Sequence, residues 1–159
     1  MLRLTAGQDA SLSFRRAAIS DLGAVERLLA ENDLPVAGVA GCIRDFILAE
    51  SEGRVVGGIG LEVHGNHGLL RSAVVAKELQ GKGVGRSLVE RLLQLADARE
   101  LESVHLLTTT AEDYFPRFGF VRVERTSVPD ELMQSEELRG ACPDTATVMR
   151  RSSHKSSIG

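Results

Sequence analysis

The hydrophobic period of this chain switches at a glycine-rich turn, and that switch limits the folds open to it. Residues 69–76 make an apolar-rich run of strand length. Gln80-Gly81-Lys82-Gly83-Val84-Gly85 follows. From there Val84, Leu88, Leu92, Leu95 and Ala96 recur at helical spacing, with Val89 and Leu93 beside them and Arg91 and Asp97 largely outside the stripe. The order is strand, short loop, glycine turn, then a helix over residues 83–99. A helix that is apolar on one side has to lay that side on another layer, and the strands supply it.

The remaining chain reads as the rest of that sheet. Residues 13–17 are a first strand, and Ser20 is the expected N-cap of a helix carrying Leu22, Val25, Leu28 and Leu29, ended by Asn32-Asp33-Leu34-Pro35. Residues 36–42, rich in small side chains, fit either a short second helix or a mobile loop. Two turn signals, Ser51-Glu52-Gly53 and Gly65-Asn66-His67-Gly68, join strands over 46–49, 55–63 and 69–76 into an antiparallel meander. After the long helix come a strand over 104–107, a helix over 111–118 stopped at Gly119, a strand over 120–125, a helix over 131–138 and a strand over 145–149. Residues 1–10 carry little pattern. The polar, serine-rich end reads as a disordered tail, so the expected organisation is one domain over 1–150 and a tail over 151–159. The expected fold is α/β (α+β), a twisted mixed sheet of six or seven strands with helices on both faces.

Composition removes several functions. A length of 159 residues suits one hydrophobic core, and a net charge of −3 argues against nucleic acid as a partner. No apolar run reaches the ~20 residues of a membrane span, and none near the N-terminus resembles a signal peptide, so no membrane partner and a cytoplasmic location are expected. Cys42 and Cys142 form no CxxC pair, and His64, His67, His105 and His154 lack metal-ligand spacing, so no metal site is expected. The two thiols read as partly buried and reduced.

The glycine turn carries the chemistry. Glycines at 81, 83 and 85 let backbone approach a ligand closely, and the helix that follows begins with N–H groups lacking internal partners. Such a terminus suits a phosphate, and Lys82 and Arg86 add positive charge. The spacing fails both GxxxxGK[ST] and GxGxxG, but fits [QR]-x-x-G-x-G through Gln80, Gly83 and Gly85.

At these residues the chain resembles the GNAT superfamily of N-acetyltransferases. A second mark is Ala111-Glu112-Asp113-Tyr114-Phe115-Pro116-Arg117-Phe118-Gly119-Phe120, similar to that family's A-x-x-[FYW]-[FY]-x-x-x-G-F element. A narrower resemblance, through Gly60-Leu61-Glu62, Leu69-Leu70-Arg71-Ser72, Leu107-Thr108-Thr109-Thr110-Ala111 and Cys142-Pro143-Asp144-Thr145-Ala146, is to the arsenic-resistance (ArsN-type) and amino-acid N-acetyltransferases. The resemblance implies acetyl-CoA as co-substrate and direct attack by a small-molecule amine, the α-amino group of an amino acid or analogue. It implies that Gln80, Gly81, Lys82, Gly83, Val84, Gly85 and Arg86 hold the pyrophosphate. The strand Ala73, Val74 and Val75 would pair with the pantetheine arm, and Phe115 would lie against the cofactor. It also implies a strand splayed near Val74 and Val75, whose freed N–H groups stabilise the oxyanion. Homodimerisation, common in this fold, would use the last strand.

Three residue roles follow from the chemistry. Glu62 is the first candidate for general base, acting through a water, with His64 the runner-up. Tyr114, the one tyrosine, is the candidate acid, because a phenol of pKa ~10 can protonate a thiolate of pKa ~8.5. It stands one position before the place where many family members carry tyrosine, which here is Phe115, and one residue rotates an α-helix by ~100°. Arg71 is the candidate fork for a substrate carboxylate, with Ser72 and Thr109 beside it. The competing readings are a non-catalytic acetyl-CoA-binding module, a protein N-acetyltransferase, and direct arsenic binding by Cys42 and Cys142.

Overall fold

Four antiparallel strands form the first half of the sheet, and the last three of them are each joined to the next by a turn of two residues. In the computed structural model, which describes residues 12–141 and 145–153, β1 spans Leu12–Arg16, β2 Phe46–Ser51, β3 Arg54–His64 and β4 His67–Val75. Then follow β5 (Ser103–Thr108), β6 (Val121–Val123) and β7 (Thr147–Ser152). The seven strands lie in the order β1-β2-β3-β4-β5-β7-β6, and all neighbours are antiparallel except β4 and β5. Among the described residues three α-helices accompany them: α1 (Leu22–Glu31), α2 (Val39–Cys42) and α3 (Val84–Ala98). This is the expected α/β fold with a seven-stranded mixed sheet.

Alternation along the strands sorts the core into two faces. Ile47, Ala49, Ile59, Leu61, Leu70, Val104 and Leu106 meet the α3 stripe of Val84, Leu88, Val89, Leu92 and Ala96. On the other face, Phe46, Leu48 and Val74 meet Val25, Leu28 and Leu29 of α1 and Val39 of α2. Further along that face, Leu69 and Val148 are covered by Val128, Leu132 and Leu138. Leu70 and Val74 are an even number of residues apart yet face opposite ways. The cause is a β-bulge: Gly58 pairs with Val74 and Gly60 with Arg71, so β4 carries one extra residue there. Ser72 takes it up at φ 61°, a left-handed conformation rare for a residue with a side chain.

Gly60 marks the same region for a different reason. A Cβ at Gly60 would run into the ring of Phe46, its cross-strand partner. Gly60→Ala is therefore expected to destabilise the fold by about 1–3 kcal/mol, as overpacking does, and a urea titration would measure it.

Several expected elements differ from the structure. The helix expected over 111–118 is a turn followed by a 3-10 helix, Phe115–Phe118. Thr108 Oγ1 accepts the N–H groups of Thr110 and Ala111, and Pro116 has no N–H to donate into a longer α-helix. The helix expected over 131–138 is two separate turns, Asp130–Gln134 and Glu137–Ala141, the second broken at Gly140 with φ 126°. Ser20 is not the cap of the first helix. Asp21 accepts the Ala18 N–H at 2.7 Å, and the Arg15 guanidinium beside it holds its carboxyl well down, to about 2. The strand expected over 120–125 is only Val121–Val123. The last strand runs on to Ser152, so Arg151 belongs to the fold: it is buried and donates to the Phe118 carbonyl at 3.2 Å. The expected lead-in over 1–10, Cys142 and the chain beyond residue 153 lie outside the described residues.

His105 is buried in β5, and burial above all, then Arg150 and His67, push its imidazole down to about 4. An unfolded histidine titrates near ~6.5, so between those values the unfolded chain binds the extra proton. The stability this contributes is complete above pH ~6.5 and is lost as pH falls toward 4. Urea midpoints should fall between pH ~7 and ~5, and His105→Gln should flatten that dependence.

Candidate active site at the strand splay

Strands β4 and β5 pair only at His67↔Ser103, Gly68↔Val104 and Leu69↔His105. Beyond Leu69 they diverge, and a cleft opens on each side of the sheet. One, of about 520 Å³, is bordered by Arg71, Ser72 and Ala73, by Thr108, Thr109 and Thr110, and by Tyr114 and Glu137. The other, of about 230 Å³, is bordered by Ala73, Val74, Val75, Gln80, Gly85, Tyr114 and Phe115. Ala73, Tyr114 and Phe115 border both, so the two clefts meet at the splay.

The smaller cleft leads to the glycine turn. Gly81 and Gly83 adopt φ 80° and 88°, which disfavours any side chain there, and no atom would meet a Cβ at either position. Among the described residues, the N–H groups of Gly81, Lys82 and Gly83 make no hydrogen bond. Those of Val84, Gly85 and Arg86 lie in the first turn of α3, where no internal acceptor exists. The Val84 side chain is buried in the core, leaving only its backbone for a ligand. Gln80 acts within the protein: its Nε2 donates to the Val75 carbonyl at 3.0 Å and closes the loop. Arg86 pairs with Glu90 at 3.2 Å on an exposed face. Ala76 N–H donates to Val56 on β3, so by strand alternation Val75 turns its own N–H toward the open splay. An open row of donors at a positive helix end, joined to a narrow cleft, fits a pyrophosphate with an extended arm.

The larger cleft has a buried ionic wall. The Arg71 side chain is fully buried, and every nitrogen of its guanidinium is engaged. Nε donates to Ser72 Oγ at 2.9 Å, Nη1 to Glu62 Oε1 at 3.2 Å, and Nη2 to the Ala37 carbonyl at 2.7 Å and toward Glu137 Oε2 at 3.4 Å. Glu62 also accepts from Ser135 Oγ at 2.8 Å and contacts His64 Nε2 at 3.0 Å. Glu62 and His64 are therefore neighbours, but neither borders the cleft; Glu137 does. Sequence reading missed Glu137 and Ser135: it placed both in a helix over 131–138, where the structure has two separate turns. The nearby Cys42 thiol is pushed up to about 12, chiefly by burial, and Sγ lies 3.5 Å from the Gly38 carbonyl. It stays a protonated thiol, unsuited to act as a nucleophile.

Tyr114 stands where the clefts meet. Its ring packs edge-on against Phe115 and Phe118, and the Arg117 guanidinium lies 4.4 Å over it. Its hydroxyl makes no hydrogen bond among the described residues. Thr109 and Thr110 are exposed at the rim, while Thr108 caps the turn.

A model of the GNAT acetyltransferase domain matches residues 29–122, more than half of the chain. The chain belongs to the GNAT acetyltransferase family. An amino-acid acetyltransferase of Mycobacterium tuberculosis is 35% identical over 130 residues, 74% of this chain and 73% of that protein. A Mycobacterium tuberculosis structure in complex with CoA and NLQ aligns with TM-score 0.74 and 27% identity, covering 88% of this chain and 98% of that one. The N-acetylglutamate synthase of Neisseria gonorrhoeae, at 19% identity and TM-score 0.74, shares the fold over 33% of its own length. This GNAT protein is an acetyl-CoA-dependent acetyltransferase, and its glycine turn and splay are the places where the observed geometry fits that co-substrate. Among the described residues of the acetyltransferase, no helix is long and apolar enough to cross a membrane.

Proposed function

We propose that this acetyltransferase acetylates the α-amino group of an amino acid or amino-acid analogue bound in the larger cleft. The observation that carries this reading is the guanidinium–carboxylate pair, Arg71 and Glu137, in one cleft wall. An α-amino acid presents the complementary pair. The Arg71–Glu137 contact is the longest that Arg71 makes, so a zwitterion can exchange into it, carboxylate toward Arg71 and ammonium toward Glu137. Glu62, with Ser135 and His64, then holds Arg71 in place instead of meeting the amine. Glu137 takes the proton of the ammonium, and the neutral amine attacks the thioester carbonyl carbon. Val75 N–H, turned toward the splay, stabilises charge on the carbonyl oxygen, and Tyr114 returns a proton to the departing sulfur. Ser72 shapes the wall through its bulge, and Thr109 closes the rim. Identity to the amino-acid acetyltransferase supports the same substrate class.

The test is coenzyme A release with a panel of α-amino acids, their phosphorus- and arsenic-containing analogues, amines lacking a carboxylate, and peptides. Turnover confined to α-amino acids or analogues is expected, with Glu137→Gln losing activity while keeping acetyl-CoA affinity. Equal turnover of carboxylate-free amines, or turnover of peptides alone, would overturn the reading. Preference for an arsenic-containing amino acid over all others would support an arsenic-resistance role.

A further inference from the structure

The sheet face that carries Glu62 and Arg71 has a second polar cluster at the other end of β4 and β5, away from the splay. Four adjacent strands contribute to it. Register places His64 of β3 beside His67 of β4, His67 beside Ser103 of β5, and His105 of β5 beside Arg150 of β7, with Ser152 next to Ser103. His67 Nδ1 and Ser103 Oγ are 2.8 Å apart, and Ser103 Oγ reaches His105 Nδ1 at 3.4 Å. The segment after β6 covers this row with Ser127 and Pro129. The pocket beneath, open to solvent on one side and of about 290 Å³, is lined by these groups and by Glu102.

The pocket holds positive charge that the protein does not answer. Arg150 Nε is buried and has no hydrogen-bond partner, and its guanidinium forms no ion pair among the described residues. A buried donor on a charged group is costly to leave unmet, which singles out this one. Glu102, the carboxylate in the wall, is exposed and leaves Arg150 unpaired. The other charged groups of the packed elements are engaged or turned elsewhere. Glu62 is bound to Arg71, His64 to Glu62, Glu131 lies over Gly65, and Arg125 reaches the Ala146 carbonyl. The low titration of His105, caused after burial by Arg150 and His67, reports the same positive field.

We infer that this pocket is a second anion site, in which Arg150, His67, His105 and the Ser103 hydroxyl bind the phosphate or carboxylate of a small metabolite. The site is separate from the glycine turn and from the acceptor cleft, sharing no lining residue with either. A guanidinium with free donors suits both oxyanions, and the small volume suits one such group with little attached to it.

The experiment follows the histidine imidazole signals by NMR, with coenzyme A saturating so that phosphate has no access to the glycine turn. Inorganic phosphate and malonate are titrated in separate arms. Saturable shifts of the His67 and His105 signals are expected, with the His105 titration midpoint moving up, and both effects lost in Arg150→Gln. A response to phosphate alone assigns a phosphate ligand, and a response to malonate alone a carboxylate ligand. No saturable shift in either arm overturns the site, as does an unchanged response in Arg150→Gln. Melting of that variant, which should match the parent, shows that any loss is not unfolding. Acceptor turnover plays no part in the readout, so the site and the amino-acid reading fail separately.

Discussion

Arg71→Ala is expected to cost about 3–5 kcal/mol of stability and to abolish turnover, the largest single effect of any substitution in the larger cleft. Arg71 lies between Glu62 at 3.2 Å and Glu137 at 3.4 Å, all three buried. Removing the guanidinium leaves two carboxylates facing each other out of water, with the Ala37 carbonyl unmet as well. Domains are typically stable by only ~5–15 kcal/mol, so urea unfolding should reveal a much weakened protein. Loss of fold alone would account for loss of activity, so a second variant is needed. Arg71→Met combined with Glu62→Gln and Glu137→Gln removes the charges together. It should recover most of the stability and none of the turnover. Recovered turnover in the triple variant would sink the role of Arg71 and Glu137 in binding the acceptor.

Tyr114→Phe should do the reverse, leaving the fold intact and slowing the chemistry. The ring is held by Phe115, Phe118 and Arg117, and all of those contacts survive loss of the hydroxyl. The hydroxyl itself makes no hydrogen bond among the described residues, so stability should stay within ~0.5 kcal/mol. If the phenol protonates the departing sulfur, kcat should fall roughly 10²-fold, the usual scale of general acid catalysis, with KM for acetyl-CoA unchanged. An unchanged kcat would assign that proton to water. Despite the one-position offset from the family's tyrosine, the half-buried ring, which packs on the core at Phe115, still borders both clefts. An α-helical rotation does not apply here, because Tyr114 precedes a 3-10 helix and lies in a turn that Thr108 and Pro116 keep from becoming α-helical.

The two substitutions probe different layers. Arg71 couples fold and site, because a buried charge has to be satisfied before anything else can be. Tyr114 tests the site alone. Both lie at the splay, beside the bulge at Ser72, where one extra residue reverses the faces of Val74 and Val75 relative to Leu70 and breaks the alternation that a regular strand would keep.

The sequence by itself determined the elements whose signals are local. The switch of period at Gln80-Gly81-Lys82-Gly83-Val84-Gly85 marked α3 and the open glycine turn at its start, since periodicity and glycine placement act over a few residues. The antiparallel meander was legible from its turns for the same reason, and so was the sheet with helices on both faces. Only the tertiary structure decided the larger cleft. Ser135 meets Glu62 across 73 positions of sequence, and Arg71 meets the Ala37 carbonyl across 34. Charge pairing at such separations leaves no periodic trace, so Glu137 and Ser135 were invisible in a segment whose spacing read as a plain helix. The same holds for Arg151, which a polar, serine-rich composition assigned to a tail. Its place in β7 comes from pairing with Val104 and from the Phe118 carbonyl, neither of which is near it in the chain.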